Sequence, residues 1–144
     1  MAVRQEPNRR DDYRQFLTIT TRWMDNDVYG HINNVQYYSF FDTAVNRFLI
    51  DQGVLDIQQG EVIGLVVETH CNYYRSAAFP EDIEAGMRVA HLGRSSVRYE
   101  IGLFVKNDER AIAQGHFVHV YVDRNSQKPI KIPDDLRTAL SLQR

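Results

Sequence analysis

Apolar and polar residues alternate along several short stretches of the chain and recur every three to four positions along one long stretch. Phe16 to Trp23 (FLTITTRW) is β-branched and alternating, which predicts a first strand. From Asn34 to about Gln52, Val35, Tyr38, Phe41, Val45 and Phe48 form a helical stripe that Tyr37, Phe40, Ala44 and Leu49 widen to more than one side. A largely buried helix is expected there. After a polar link at Asp56 to Gly60, alternation returns four times, at about Val62 to Arg75, Asp82 to Leu92, Ser95 to Lys106 and Ala111 to Asp123. In the third of these, Val97, Tyr99, Ile101, Leu103 and Val105 alternate with Arg98, Glu100, Gly102, Phe104 and Lys106. One buried face and one mostly wet face predict an antiparallel sheet. Gly93-Arg94 and Asn107 to Arg110 carry hairpin chemistry. Pro133 to Leu142 predicts a short last helix, with Asp134 and Asp135 where the helix dipole favours negative charge.

Both ends of the long helix are marked. Asn33 can cap its start, with Gln36 reaching back in a capping-box arrangement, and Gly53 suits the left-handed position after its end. One strand, one apolar helix and four antiparallel strands give an α+β order in which the sheet must wrap the helix. The edge strands and remaining apolar positions call for a partner subunit. At 144 residues, 43% hydrophobic and 25% charged, the chain suits a single domain, residues 1–144, with a core at about 16–123. The charged segment MAVRQEPNRRDDYRQ reads as a solvated arm rather than a signal peptide, and no apolar run is long enough to span a membrane. A net charge of -2 without basic runs gives no reason to expect nucleic acid. The single cysteine, Cys71, excludes an internal disulfide and a thiolate metal cluster, which points to a reducing, cytoplasmic compartment.

The chemistry concentrates in TRWMDNDVYGHINNVQYYSFFDTAVNRFL, Thr21 to Leu49, where turn-forming polar residues abut the apolar helix. Asp25-Asn26-Asp27 with Gly30 begins like a calcium loop. The match fails at the fifth position, Tyr29, and at the twelfth, Gln36, where a bidentate glutamate is needed. Transition-metal ligation by His31 with either aspartate lacks a second histidine nearby, because His70, His91, His116 and His119 fall on later strands. No metal is expected. A turn plus a helix cap accounts for Gly30, Asn33 and Asp25. It accounts less well for Asp27, which adjoins Val28-Tyr29 among large apolar side chains. A partly desolvated carboxylate beside free N–H groups at a helix start is the minimum equipment for acyl transfer. Spacing alone does not separate these two readings.

At these residues the chain resembles the hotdog-fold acyl-CoA thioesterases of the 4-hydroxybenzoyl-CoA thioesterase type. Their signature is Asp-x-Asp, a glycine, then an Asn or aromatic pair leading into an apolar helix. Here it reads Trp23-Met-Asp25-Asn-Asp27-Val-Tyr-Gly30-His31-Ile-Asn33-Asn34-Val-Gln-Tyr37-Tyr38. The resemblance extends over the order of elements from about Phe16 to Asp123, and it implies a hotdog fold with an antiparallel sheet around one long helix. It also implies hydrolysis of an acyl-CoA thioester to free acid and CoA, without any cofactor beyond the CoA of the substrate, by a homodimer or homotetramer. The same fold also hosts non-catalytic acyl-CoA or acyl-carrier-protein binding modules and acyl hydratases. By this resemblance Asp27 is the catalytic carboxylate, as nucleophile or general base, and the Asn34 backbone N–H is the oxyanion donor. His31 and Asn33 would line the thioester site, and Tyr37 would border the acyl pocket. Asn72 to Ser76 and Gly93 to Ser96 sit where the family places substrate and CoA contacts. Ser76 would meet the reacting group from the neighbouring subunit, and Arg94, Ser95 and Ser96 would hold the nucleotide end of CoA. Arg94 stands where benzoyl-specific members have a basic cluster. Tyr29 and His31 replace smaller or apolar residues, so the pocket suits a different acyl group, with an aliphatic chain as the candidate.

Overall fold

The computed structural model describes residues 5–56 and 58–144; the first four residues of the polar arm and position 57 of the polar link lie outside them. The elements run β1 (Gln15–Ile19), α1 (Asn34–Asp51), β2 (Val62–Tyr73), β3 (Ile83–Leu92), β4 (Ser96–Phe104), β5 (Ala113–Asp123) and α2 (Asp134–Ser141). All five strands form one antiparallel sheet in the order β1-β3-β4-β5-β2, which leaves β1 and β2 at the edges. The sheet curls around α1, whose Tyr37, Phe40, Phe41, Ala44, Val45, Phe48 and Leu49 are buried against Ile83, Ala85, Met87, Tyr99, Ile101 and Leu103. Each large apolar side chain so buried contributes about 1.5–3 kcal/mol relative to exposure. This is the hotdog arrangement. Ile132 and Leu136 and Leu140 of α2 join the same core. One polar group is taken into it: His119 is 2% exposed, its Nδ1 lies 3.3 Å from the Tyr121 hydroxyl, and that hydroxyl lies 2.9 Å from the hydroxyl of Tyr99.

Helix α1 ends as its flanking residues dictate. The Asn33 side chain accepts the Val35 N–H at 3.0 Å, and Gly53 (φ 67°) turns the chain so that its own N–H reaches Ile50 O and Val54 N–H reaches Leu49 O. The expected return bond from Gln36 is not formed, because the Asn33 N–H is taken by Asp25 O at 2.9 Å. The first strand is also shorter than expected. It stops at Ile19, and Trp23–Asp25 form a 3-10 turn closed by the Asp25 carboxylate on the Arg22 N–H and guanidinium.

The described part of the arm is not free in solvent but lies on the sheet, with Tyr13 buried. Asn8 O accepts the Ala111 N–H at 2.9 Å and Asn8 N–H reaches Gln114 Oε1 at 2.6 Å. The Tyr13 ring lies across Gly102 and edge-on to Phe104, 5.9 Å between centroids. Part of the outer sheet face predicted to be wet is therefore covered by the chain's own start. At Gly102 a Cβ would come within 2.5 Å of the Tyr13 ring, so only glycine admits it there.

Candidate active site

The polar turn before α1 is a small hairpin. Asn26 pairs with Ile32 in an isolated antiparallel bridge, and between them Asp27 N–H bonds His31 O at 2.9 Å and Gly30 N–H bonds Asp27 O at 3.1 Å. Gly30 at φ 80° makes that reversal possible. Ile32 is 4% exposed and its N–H is held by Ala77 O at 2.8 Å, which pins the hairpin to the segment after β2. The two aspartates of the motif have separate fates. Asp25 is 1% exposed and is taken up by Arg22. Asp27 is half-buried, and its Oδ1 accepts the Tyr29 N–H at 2.9 Å.

Asp27 borders a cavity of about 350 Å³ whose other walls are Ile32, Asn34, Tyr37, Tyr73, Tyr74, Arg75 and Ser76. Tyr73 is the last residue of β2, and beyond it the N–H groups of Tyr74 and Arg75 both bond Ile112 O, at 2.8 and 3.1 Å. That turns the chain toward the start of α1 and brings Ser76 to the cavity. The Tyr73 hydroxyl donates to Asn34 O at 3.0 Å, and its ring lies 5.1 Å from that of Tyr37. The end of β2 thus clamps the first turn of α1. Among the described residues the Asn34 N–H has no hydrogen-bond partner, as expected for the first helical position. A helix N-terminus with an open N–H and a carboxylate on one cavity can stabilise an oxyanion and deliver or activate a nucleophile.

Of the residues singled out from the sequence, Asp27, Asn34, Tyr37 and Ser76 meet at this cavity within one protomer. Ser76 therefore borders the same cavity as Asp27 of its own chain. Asn33 borders the open depression on the other side of Asp27, with Trp23, Val28 and Tyr29, and its side-chain oxygen is engaged as the helix cap. His31 lies outside both. It neighbours the inward Ile32 on an extended segment, where side chains alternate, and so it faces solvent.

Arg94, Ser95 and Ser96 are also elsewhere. Ser96 pairs with Val120, whereas the cavity end of the sheet is marked by Leu103 paired with Ala113 and Ala113 with Tyr73. Seven residues of strand put this hairpin roughly 23 Å from the cavity end in the same protomer. Sequence reasoning assigned no individual role to Ile32, Tyr73, Tyr74 or Arg75. The run Tyr73-Tyr74-Arg75 beside Ser76 was the available signal for three of them; Ile32 had none beyond its apolar character.

Burial shapes the neighbouring side chains. It raises Tyr37, and the Cys71 thiol is pushed up to about 11, so this cysteine stays protonated and is no nucleophile at neutral pH. Burial likewise raises Tyr73, which keeps its hydroxyl proton available to Asn34 O. The Arg75 guanidinium is ion-paired to Asp108. Among the described residues no three His, Cys, Asp or Glu side chains converge as a metal site would require, and no helix is long and apolar enough to cross a membrane.

An antiparallel sheet wrapped around one central helix defines a hotdog protein, and the comparisons agree. The profile of the thioesterase-like superfamily matches residues 21–140, and the chain belongs to that superfamily. Its structure superposes on that of the PA5185 protein of Pseudomonas aeruginosa strain PAO1 with a TM-score of 0.94, at 56% identity over 96% of each chain. It is also similar to the PA2801 protein of the same species, provisionally named a thioesterase, with a TM-score of 0.81 and 26% identity over 86% of this chain and 95% of that one. The DHNA-CoA thioesterase of Staphylococcus aureus shares the fold, with a TM-score of 0.79 and 21% identity over 88% and 87% of the two chains. No curated protein matches the chain significantly. Thioester hydrolysis is, in general terms, the chemistry of this superfamily's site.

Proposed function

We propose that the protein hydrolyses an acyl-CoA thioester to the free acid and CoA. The observation that carries this reading is the meeting of the Asp27 carboxylate and the unpartnered Asn34 N–H on one cavity. In the proposed reaction Asp27 attacks the thioester carbon or takes a proton from the water that does so. The Asn34 N–H, at the positive end of α1, receives the negative charge that develops on the carbonyl oxygen. Such a donor is worth about 3 kcal/mol, a hundredfold or more in rate. The C–S bond then breaks and the thiolate departs without a strong acid, because thiols near pKa 8.5 are good leaving groups; where Asp27 itself has attacked, water then cleaves the acyl–aspartyl anhydride to give the free acid and restore the carboxylate. Ile32, Tyr37 and Tyr73 would border the acyl group, and Ser76 would sit at the thioester.

A homodimer joined along β2 completes the reading. This 12-residue edge strand exposes Leu65, Val66 and Val67 in sequence, with a register shift between Val66 and Glu68. A reducing, cytoplasmic setting suits the free Cys71.

The test is turnover on a panel of acyl-CoA thioesters with Asp27→Asn. An amide oxygen can still accept the Tyr29 N–H, so the turn is kept while the charge is lost. Activity should fall roughly a hundredfold or more. Undiminished turnover by this variant would overturn the assignment, and binding without turnover by the wild type would make the protein an acyl-CoA binding module.

A further inference from the structure

The hydrogen bonds of Asp27 among the described residues stay inside its own hairpin: its N–H donates to His31 O, its O accepts the Gly30 N–H, and its Oδ1 accepts the Tyr29 N–H. These bonds fix the carboxylate relative to the turn. They do not fix the turn relative to the cavity. That second task falls to the bonds that leave the hairpin from its two strands. On the returning strand the Ile32 N–H donates to Ala77 O at 2.8 Å, and on the outgoing strand the Asn26 Oδ1 accepts the Phe79 N–H at 3.0 Å.

Both bonds end on the β2–β3 connection, whose Ser76 borders the same cavity as Asp27. Local bonds make this connection a firm anchor. The Glu81 N–H donates to Ala78 O at 2.9 Å, the Glu81 carboxylate accepts the Ala78 N–H at 3.2 Å, and Glu81 O accepts the buried Thr21 hydroxyl at 2.7 Å. Phe79, inside this turn, also meets the Trp23 ring edge-on, 6.0 Å between centroids. The Asn26 bond to it is half-buried and joins segments 53 positions apart, and Asn26 directly precedes Asp27. An amide suits this position because it accepts the N–H without adding a third negative charge between Asp25 and Asp27.

We propose that Asn26 is a positioning residue for Asp27. Its bond to the Phe79 N–H ties the hairpin to the β2–β3 connection and so sets the Asp27 carboxylate at the distance from the Asn34 N–H that attack on a thioester needs. Without that rung the acyl group still binds against its aromatic walls, but the carboxylate occupies the productive position less often, and small misplacements of a reacting group are costly in rate. This inference rests on the thioesterase reading above.

The experiment is a double-mutant cycle on the best acyl-CoA, with Asn26→Ala made in the wild type and in Asp27→Asn. In the wild type, loss of one neutral hydrogen bond should lower kcat about fivefold, with KM within about twofold. In Asp27→Asn, assayed at raised enzyme concentration, the same substitution should change kcat by less than about twofold, because there is no longer a carboxylate to position. Asn26→Asp keeps an acceptor for the Phe79 N–H and should regain most of the loss. An unchanged kcat in Asn26→Ala overturns the proposal. So does an equal loss in both backgrounds, which is what a purely structural role would give, and so does a loss confined to KM or Tm. If the wild type hydrolyses no acyl-CoA, or Asp27→Asn remains fully active, the underlying thioesterase reading fails instead.

Discussion

Changing Tyr73 to phenylalanine removes one hydroxyl and leaves its ring against Tyr37 in place. That hydroxyl lies 3.0 Å from Asn34 O and is a side-chain tie between the end of β2 and the first residue of α1, which lines the cavity. A neutral hydrogen bond of this kind is worth about 1 kcal/mol net. If its role is to hold the first turn of α1 at the geometry the oxyanion needs, that energy appears in the transition state, and kcat falls about fivefold. KM should stay within about twofold, because the ring wall is intact, and Tm should move by no more than about 2–4 °C. Tyr73→Leu, which also removes the ring, should raise KM in addition. Steady-state kinetics on the best acyl-CoA, with thermal melts of the same preparations, separates the cases. An unchanged kcat in Tyr73→Phe, or a loss confined to KM and Tm, would show that the hydroxyl plays no part in aligning the helix tip.

Burial pushes the His119 imidazole down to about 4, from an ordinary value of 6.5. Between those values the unfolded chain binds a proton that the folded chain refuses, so stability is full above about pH 6.5 and falls as pH drops toward 4, by about 3 kcal/mol. Denaturant melts of the wild type and His119→Gln across that range should show a shallower decline in the variant, and equal slopes would refute this. At Gly115 an added Cβ would overlap the His70 carbonyl oxygen, a backbone atom of β2 that cannot step aside. Gly115→Ala should therefore cost about 1–3 kcal/mol of unfolding free energy. It should also lower turnover, because the displaced strand carries Tyr73; a wild-type melting curve would count against the register described here.

Local chemistry settled much of this molecule in advance. The period of the stripe from Val35 to Leu49, the Asn33 cap and the left-handed Gly53 fix helix α1 through interactions no more than a few residues apart, and the alternation in β3, β4 and β5 does the same for the strands. Asp27 and Asn34 were legible together for the same reason: seven positions apart around one hairpin, they have little freedom to separate. Solvent exposure of His31 follows from the inward anchoring of Ile32 to Ala77, a hydrogen bond across 45 positions that no local pattern carries. The arm reads as mostly polar, yet the Asn8 backbone bonds to the Ala111 N–H and the Gln114 side chain, and the ring of Tyr13 on Gly102, hold its described part on the sheet. Strand order decided the remainder. Because β2 joins the sheet beside β5 with Tyr73 opposite Ala113, the cavity lies at the end where β4 turns into β5, and Arg94 stands at the far end. Period and capping act over a turn of helix or a pair of strand residues. Which loops share an end of the sheet depends on pairings between distant segments, and only the folded chain fixes those.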